Sequence, residues 1–399
     1  MRLSERVSSM QFSPIRGFNK LAAAEEAQGK KIYHLNIGQP DVKTPEVFMD
    51  AVRAYDGKVL CYAESNGITQ LLDAIIKYYS LYDITLTRDN IIITNGGSEA
   101  LKLVFATVLN PGDEIMVPEP YYTNYISFGC ETVAVINPVP TTAEDGYAWA
   151  VREKLEAALT PKTRAICCNN PNNPTGRVLT REDMRVVCEF AKEHNLWIIS
   201  DEVYREFVYD GGEVTSFGMM DEFADRIVLV DSVSKRYSAC GARIGAVISK
   251  NEELMNGVLK LAQGRLCVPT LEQYGAAALF NLGADYLDEA RREYESRRDA
   301  AYEEISNIPD VICEKPGGSF YLMAKLPIDD AEDFLRFLIT EFEDNGESVM
   351  FAPAPGFYKT PGKGKNEIRI AYVLNSDKMR RAAELIRLGI EAYRKKKGI

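Results

Sequence analysis

Residues 226–245, RIVLVDSVSKRYSACGARIG, join an apolar strand pattern to a lysine with small residues nearby. Arg226–Asp231 is a β-branched run of the kind that forms buried parallel strands. Lys235 follows closely, with serine, alanine and glycine around it. Desolvation near a strand end favours the neutral amine, which is the form that attacks an aldehyde. We therefore interpret Lys235 as a candidate nucleophile; the alternative is an ordinary surface lysine.

Short apolar strands alternate with helical patterns around this stretch, from about residue 70 to 250. The predicted elements are strands Ile91–Thr94, Glu114–Val117, Arg164–Cys168, Leu196–Ser200 and Arg226–Asp231, with helices such as Ser98–Leu109 and Arg181–His194. Such alternation is typical of βαβ units. The sequence therefore predicts an α/β fold with a mostly parallel central sheet.

The length of 399 residues predicts more than one domain. We place a large domain at residues 45–285 and a smaller α+β domain at residues 1–44 and 286–399. The regular alternation of strands and helices ends near this boundary. It is followed by a long charged helix, Ala284–Ile305, by strands Ser319–Lys325 and Glu367–Val373, and by a helix from about Asp330.

Polar residues follow each predicted strand, and ligands of such sheets bind at the carboxyl ends of the strands. After Ile91–Thr94, the run 95–100 contains Gly97, Ser98 and Glu99 and opens a helix. Free N–H groups and the helix dipole at such an end favour a phosphate. A plain strand–helix turn is the alternative.

Two further strand ends carry polar side chains. Asn173 lies in a turn of two prolines and four asparagines, residues 169–176, which fixes side-chain amides near a strand end. Asp201 and Tyr204 follow Leu196–Ser200 directly. A buried acid is costly unless a cation meets it, although Asp201 could equally cap a helix.

Composition limits the function classes. The net charge of −11 argues against nucleic-acid binding, and no apolar run approaches the roughly 20 residues that span a bilayer. The first 17 residues hold no apolar stretch suited to a signal peptide, so we expect a cytoplasmic enzyme. The eight cysteines are scattered and include no C-x-x-C pair, so we expect neither disulfides nor a zinc site. The chain has only two histidines, so we expect chemistry that does not depend on imidazole.

One cofactor uses all of these parts together. Pyridoxal 5'-phosphate needs a lysine for its Schiff base and an acid for its pyridine nitrogen. It also needs donors for its phenolate oxygen, an aromatic plane and an anion site for its phosphate. Gly97 with Ser98, Asn173, Asp201, Tyr204 and Lys235 supply this set in chain order.

With these residues in place, the sequence resembles the class I/II aminotransferases, the fold type I branch of pyridoxal-phosphate enzymes. The most specific pieces are NNPTG at 172–176, SDEVY at 200–204 and SVSK…GARIG at 232–245. The likeness extends from about Ile37 to Val373. It implies that the larger domain binds pyridoxal phosphate and that the smaller domain is of the family's α+β type.

The resemblance assigns a role to each matching residue. Lys235 would hold the cofactor as a Schiff base and move the substrate proton, and Asp201 would pair with the pyridinium nitrogen. Asn173 and Tyr204 would bind the phenolate oxygen, and Tyr122 would stack on the ring. The phosphate would be held by Gly97, Ser98, Glu99, Ser232 and Arg243.

The resemblance also assigns the substrate contacts and a partner. Arg369 would take the substrate α-carboxylate, with Gly38 and Asn173 beside it; a planar guanidinium can grip a carboxylate through two parallel hydrogen bonds. Tyr62 would reach the phosphate from a partner subunit, which implies a homodimer with shared active sites.

The implied reaction moves an amino group between an L-amino acid and a 2-oxo acid such as 2-oxoglutarate. The segments HLNIGQPD, PEPYYTNY and DEVYREF resemble bacterial and archaeal aminotransferases often assigned to aspartate. Arg16, Arg265 and Lys102 are the cationic candidates for a second substrate carboxylate. An aromatic or alanine-type donor stays open.

Three other classes of protein compete with an aminotransferase. A β-lyase, a decarboxylase or a cyclopropane-forming synthase would share the cofactor residues and differ around the substrate side chain. A non-catalytic regulator that kept the fold would be expected to carry an added DNA-binding module. A nicotinamide dehydrogenase would need a G-x-G-x-x-G after the first strands, and none is present.

Overall fold

The computed structural model describes residues 1–10 and 13–398. Its helices are α1 (Glu5–Ser9), α2 (Asn19–Glu26), α3 (Glu46–Arg53), α4 (Thr69–Ser80), α5 (Gly96–Val108), α6 (Asn124–Thr132), α7 (Arg152–Ala158), α8 (Arg181–Glu193), α9 (Val233–Arg236), α10 (Glu252–Gly264), α11 (Thr270–Phe280), α12 (Ala284–Ser306), α13 (Ala331–Thr340) and α14 (Ser376–Lys397). Its strands are β1 (Lys31–His34), β2 (Ile91–Thr94), β3 (Glu114–Glu119), β4 (Val135–Pro140), β5 (Thr163–Asn169), β6 (Trp197–Asp201), β7 (Ile227–Ser232), β8 (Gly245–Ile248), β9 (Tyr321–Lys325), β10 (Glu347–Met350), β11 (Ala352–Pro353) and β12 (Glu367–Ala371).

A central sheet organises the molecule. Over the described residues it has seven strands in the order β2-β8-β7-β6-β5-β3-β4. The pairs from β7 to β4 are parallel, while β8 runs antiparallel to both of its neighbours. The predicted α/β fold with a mostly parallel central sheet is confirmed. Two strands of this central sheet were not anticipated: β4 contains two prolines and is only partly buried, and β8 is four residues long.

The smaller sheets lie outside this central sheet. Strands β11, β12 and β9 form an antiparallel sheet, and β1 pairs with β10 in parallel. Helices α12 and α14 pack against each other. The backbone near the amino terminus thus joins residues beyond 346. The domain boundaries at residues 44/45 and 285/286 stay a prediction.

The sheet direction positions the site. Because only β8 is reversed, strands β2, β5, β6 and β7 all end at the same edge of the sheet. Each of these strands is buried along its length, apart from one residue of β5 and one of β6. The polar residues that follow them therefore meet at one edge. None of the described helices has the length and apolar character needed to cross a membrane.

Candidate active site

A cavity of about 350 Å³ opens at this edge of the central sheet. Its wall combines strand ends of the central sheet with residues of β9, β12 and the amino-terminal region. The lining residues that the sequence had singled out are Arg16, Gly38, Gly97, Ser98, Tyr122, Asn173, Asp201, Tyr204, Ser232, Lys235, Arg243 and Arg369.

Lys235 projects into the cavity from the short helix α9. Ser232 ends β7 and caps this helix, since its side chain accepts a hydrogen bond from the Ser234 N–H. The Lys235 ammonium donates to the Gly38 carbonyl at 2.9 Å, and the Cys240 thiol lies 3.9 Å away. Among the described residues no carboxylate pairs with Lys235. Its amine is therefore held by a neutral backbone group that a reacting partner can displace.

Asp201, the last residue of β6, is a buried carboxylate without a cation. Its side chain accepts a hydrogen bond from the Tyr125 hydroxyl at 3.0 Å, and the residue is 4% exposed. Burial raises the pKa of Asp201 to about 7. No lysine, arginine or histidine of the described chain forms an ion pair with it. This carboxylate is suited to a cationic group of a ligand.

One end of the cavity presents an anion site. The first turn of α5, Gly96 to Ser98, supplies free backbone N–H groups, and Ser232 and Arg243 line the same region. The Arg243 guanidinium lies directly on Gly96, where a Cβ would come within 2.2 Å of Nη2. Arg243 donates only to backbone carbonyls, those of Cys240 and residue 95. It has no carboxylate partner in the described structure.

Arg369 is a buried guanidinium at the other wall, in β12. It donates to the Asn173 side-chain oxygen at 2.9 Å and to the Asn36 carbonyl at 2.6 Å. Its Nε has no hydrogen-bond partner among the described residues. Burial lowers the pKa of Arg369. A buried cation held only by neutral groups is suited to a ligand carboxylate.

Two tyrosines complete this wall. The Tyr204 and Tyr321 hydroxyls lie 3.0 Å apart, and the Arg369 guanidinium sits 4.4 Å from the Tyr321 ring centroid. Burial raises the pKa of Tyr204 well above its usual range, so its hydroxyl keeps its proton. Gly38 is required here, because a Cβ would lie 1.9 Å from the Tyr321 hydroxyl oxygen.

Tyr122 faces the cavity from the segment before α6. Its hydroxyl accepts a hydrogen bond from the Asn124 amide at 2.8 Å, and its ring meets the Tyr125 ring edge to face at 5.5 Å. Burial raises the pKa of Tyr122 to about 12. The ring is therefore fixed by polar and aromatic contacts and presents an aromatic surface to the cavity.

Two of the cofactor-binding residues assigned by the resemblance lie outside the cavity. Tyr62 is 80% exposed. The Glu99 carboxylate accepts the Asn95 backbone N–H at 2.7 Å and lies 3.4 Å from Arg265, so it stabilises the start of α5. Any contact of Glu99 with an anion in the cavity would use its backbone N–H.

Sequence reasoning missed Tyr125 and Tyr321. Tyr125 lies three residues after Tyr122 in one aromatic run, and this spacing was the available signal. Tyr321 begins a strand that was anticipated, but nothing in its local sequence distinguishes it from core tyrosines. Only the convergence of β9 and β12 places it on Arg369.

The charge balance of the cavity is opposite to that of the protein. Among the residues that the structure describes, its wall contains four cationic side chains, Arg16, Lys235, Arg243 and Arg369, and a single carboxylate, Asp201. The whole chain carries a net charge of −11. Local cations of this kind favour anionic small molecules on an acidic protein. The arrangement combines anion binding with an amine and a proton-binding carboxylate.

Comparisons with known proteins agree with this geometry. The family model for aminotransferase class I and II matches residues 30–386. The chain is 30% identical to an aspartate aminotransferase of Bacillus subtilis, with 98% of this chain and 100% of the relative covered. It is 31% identical to aromatic-amino-acid aminotransferase 2 of Thermococcus litoralis, over 96% and 97% of the two chains.

A solved structure shows the same fold over the full length. The aspartate aminotransferase of Thermotoga maritima superposes with a TM-score of 0.88 at 29% identity, covering 98% of this chain and 100% of that one. The sequence match and the structural match therefore both cover nearly the whole chain. The chain belongs to the class I and II aminotransferases and is an enzyme that transfers amino groups.

Proposed function

We propose that this aminotransferase binds pyridoxal 5'-phosphate in the cavity and moves an amino group from an L-amino acid to a 2-oxo acid such as 2-oxoglutarate. Aspartate is the first donor to test, since several relatives are named as aspartate aminotransferases. The proposal rests on one observation: Asp201 and Arg369 line the same cavity as Lys235. Asp201 is buried without a cationic partner and Arg369 is buried without a carboxylate partner among the described residues.

The lining residues fit the cofactor at each of its polar groups. Its phosphate suits the α5 N-terminus with the Ser232 hydroxyl and with Arg243, whose guanidinium has no carboxylate partner among the described residues. Its ring nitrogen, when protonated, suits the Asp201 carboxylate, and the ion pair would remove the cost of burying that charge. Asn173 and Tyr204 offer donors for the phenolate oxygen, and Tyr122 offers a ring surface.

Lys235 carries the proposed chemistry. When bound, the cofactor draws electrons from the Cα–H bond of the amino acid and makes that proton transferable. Lys235 would hold the cofactor covalently through Nζ until a substrate amine takes its place. The freed Nζ would then accept the Cα proton and deliver it to the adjacent cofactor carbon. Its present hydrogen bond to the Gly38 carbonyl keeps it beside the substrate position.

Arg369 orients the substrate. Two of its nitrogens already donate to Asn173 and Asn36, and Nε is free to bind an α-carboxylate. Burial between Tyr321 and Phe357 excludes water from the guanidinium and strengthens that contact. Fixing the carboxylate in this way would hold the substrate in the cavity that Lys235 also lines.

We further propose a homodimer in which Tyr62 of each chain reaches the site of the other. Tyr62 is 80% exposed, and its neighbours Val59 and Leu60 are 69% and 58% exposed. An exposed apolar group of this kind is typical of a protein interface. The backbone of this segment is anchored to the rest of the chain, since Thr270 donates to the Cys61 carbonyl at 3.2 Å.

We place the enzyme in the cytoplasm. The eight cysteines are all unpaired, including the buried neighbours Cys167 and Cys168. Thiols persist in this state in a reducing compartment.

The test uses the purified enzyme with a panel of amino donors and 2-oxoglutarate. Lys235→Ala should lose turnover and the covalent cofactor absorbance, whereas Lys102→Ala, a matched cation ion-paired with Glu131 at 2.7 Å, should keep both. With donor alone, transamination yields one 2-oxo acid per active site and then stops. Continuous release of pyruvate and ammonia would instead establish a β-lyase. Full activity of Lys235→Ala would refute the proposal.

Mixed dimers test the shared site in the same assay. Lys235→Ala and Tyr62→Ala chains are each expected to be impaired alone. After co-refolding or co-expression, one site of each mixed dimer combines Lys235 with the partner's Tyr62, so activity should reappear. Absence of recovery, with mixed dimers present, would contradict the exchange of Tyr62.

A further inference from the structure

A short turn at residues 14–16 forms part of the cavity rim. The Ile15 carbonyl accepts a hydrogen bond from the Asn36 side chain at 2.9 Å, and the Asn36 carbonyl accepts one from Arg369 at 2.6 Å. The backbone of the turn is therefore two hydrogen bonds away from the guanidinium that faces the substrate. Ser13, Ile15 and Arg16 all line the cavity.

Packing fixes the position of this turn. Pro14 lies against Gly356, where a Cβ would come within 2.5 Å of the proline ring. Ile15 packs on the apolar cluster that contains Ala354, Phe357 and Tyr358. These contacts hold the backbone of the turn against the segment that precedes β12. The side chain that follows Ile15 is thus presented to the cavity by an ordered main chain.

Arg16 is an exposed cation on this rim without a partner. Among the described residues, its guanidinium forms no hydrogen bond or ion pair, although it lines the cavity. The other cations considered from the sequence are engaged elsewhere. Lys102 pairs with Glu131 at 2.7 Å, and Arg265 donates to the Ile93 carbonyl at 2.7 Å. Neither lines the cavity.

Of the three arginines in the cavity wall, Arg16 is the one to which no ligand group has yet been assigned. Arg243 lies on the α5 N-terminus at the phosphate end, and Arg369 is buried at the proposed α-carboxylate site. Arg16 adjoins the Arg369 end through Asn36, and the phosphate end already has its own donors. The cavity therefore offers a second cation for the substrate, beyond the one that holds its α-carboxylate.

We propose that Arg16 binds the second carboxylate of dicarboxylic amino acids and 2-oxo acids, and so selects this substrate class. The assignment rests on the proposed transaminase function of the cavity. Because Arg16 has no ion pair among the described residues, no such contact has to be broken before its guanidinium binds a substrate. Its neighbours on the rim, Ile15 and Ile37, offer only apolar contact, so Arg16 would supply the charge recognition.

The experiment compares Arg16→Met with Lys20→Met in the cofactor-loaded enzyme. Lys20 is an exposed cation of the following helix α2 and does not line the cavity. We expect Arg16→Met to lower kcat/KM for aspartate and glutamate about 10- to 100-fold, the effect of losing a charged hydrogen-bonded contact. Values for alanine and phenylalanine should change by less than about 3-fold. Lys20→Met should leave the ratio unchanged.

Ligand binding supplies a second readout without turnover. Calorimetry with succinate and glutarate should show the same 10- to 100-fold loss of affinity in Arg16→Met, while propionate binding stays unchanged. Arg16→Lys should retain part of the affinity for the dicarboxylates, because it keeps the charge and loses the planar fork.

Two results would overturn the assignment. Equal losses for dicarboxylic and monocarboxylic donors would mean that Arg16 supports the fold or the cofactor. Unchanged selectivity and succinate affinity would mean that it does not contact substrate. If the unmodified enzyme transaminates none of the donors, the proposed function fails instead, and the succinate experiment still decides whether Arg16 binds a second carboxylate.

Discussion

Asp201 and Asp231 are buried aspartates at the ends of neighbouring strands, and together they form a matched test of the charge arrangement. Asp201 has no cationic partner in the described structure and is 4% exposed. Asp231 is 1% exposed and accepts two hydrogen bonds of 2.9 Å from Arg236, with Arg205 at 3.7 Å. Replacing each with asparagine keeps its size and removes its charge, so the two substitutions should have opposite effects.

The magnitude for Asp201 follows from its pKa. Burial raises this pKa from 3.8 to about 7, so the folded protein holds the proton more tightly than the unfolded chain. Ionisation of Asp201 therefore destabilises the fold progressively as the pH rises from 3.8 to 7. At 1.36 kcal/mol per pKa unit, the full cost above pH 7 is about 4 kcal/mol. Asp201→Asn should raise the free energy of unfolding of the cofactor-free protein by up to that amount at pH 8.

The control has the opposite sign. Burial alone would raise the pKa of Asp231, but Arg236 and Arg205 hold it below its usual range. Its ionised form stabilises the fold above the unfolded pKa, and this stabilisation is lost as the pH falls through the lowered value. Asp231→Asn leaves two buried guanidinium groups short of a counter-charge, which should cost about 3–5 kcal/mol at pH 8.

The assay is urea unfolding of the cofactor-free proteins between pH 5 and pH 8, repeated with pyridoxal phosphate. The cofactor should stabilise the unmodified protein more than Asp201→Asn, because a protonated ring nitrogen compensates the Asp201 charge. The reasoning would be refuted if Asp201→Asn destabilised the cofactor-free protein at pH 8 as strongly as Asp231→Asn. An Asp201→Asn effect that did not grow between pH 5 and pH 8 would refute it as well.

Two further substitutions test contacts around the cavity. Asn173→Asp places a carboxylate on Arg369, at the 2.9 Å contact that the amide oxygen now occupies, so KM for the 2-oxo acid should rise about 10-fold or more in steady-state kinetics. Asn172→Asp, one residue earlier, should leave KM unchanged, and equal effects would contradict the role of Arg369. Glu119 accepts the backbone N–H groups of positions 359 and 360 at 3.0 and 3.1 Å, in the loop 354–366 between β11 and β12. Glu119→Leu should therefore speed amide hydrogen exchange in that loop about 10-fold or more, and unchanged exchange would show that the loop is held by other contacts.

Local sequence was informative wherever a strand led directly into the site. Asp201, Ser232 and Lys235 each lie at or just after a buried β-branched run, and a parallel sheet brings such ends to one edge whatever the loops between them do. The strand and helix bounds were predictable to within about two residues for the same reason. The pattern of apolar residues and their burial allow little choice of secondary structure in such segments.

The reversed strand β8 and the irregular strand β4 were not predictable in this way. β8 has only four residues, and its direction depends on pairing with β2 and β7 rather than on its own pattern. β4 contains two prolines and exposed positions that resemble a loop. The direction of β8 and the formation of β4 both depend on contacts with residues that are distant in the sequence.

The sequence by itself was sufficient to predict the α/β fold and to select Lys235 as the candidate nucleophile. It was also sufficient to select the polar residues after successive strands that together suit one cofactor. Short-range pattern is sufficient there, because each of these residues is placed by the strand next to it. Only the tertiary structure decided that Tyr321 lies on Arg369, that Tyr125 holds Asp201, and that Arg16 alone of three candidate cations lines the cavity. Each of these contacts joins segments far apart along the chain, and packing between them has no signature in local sequence.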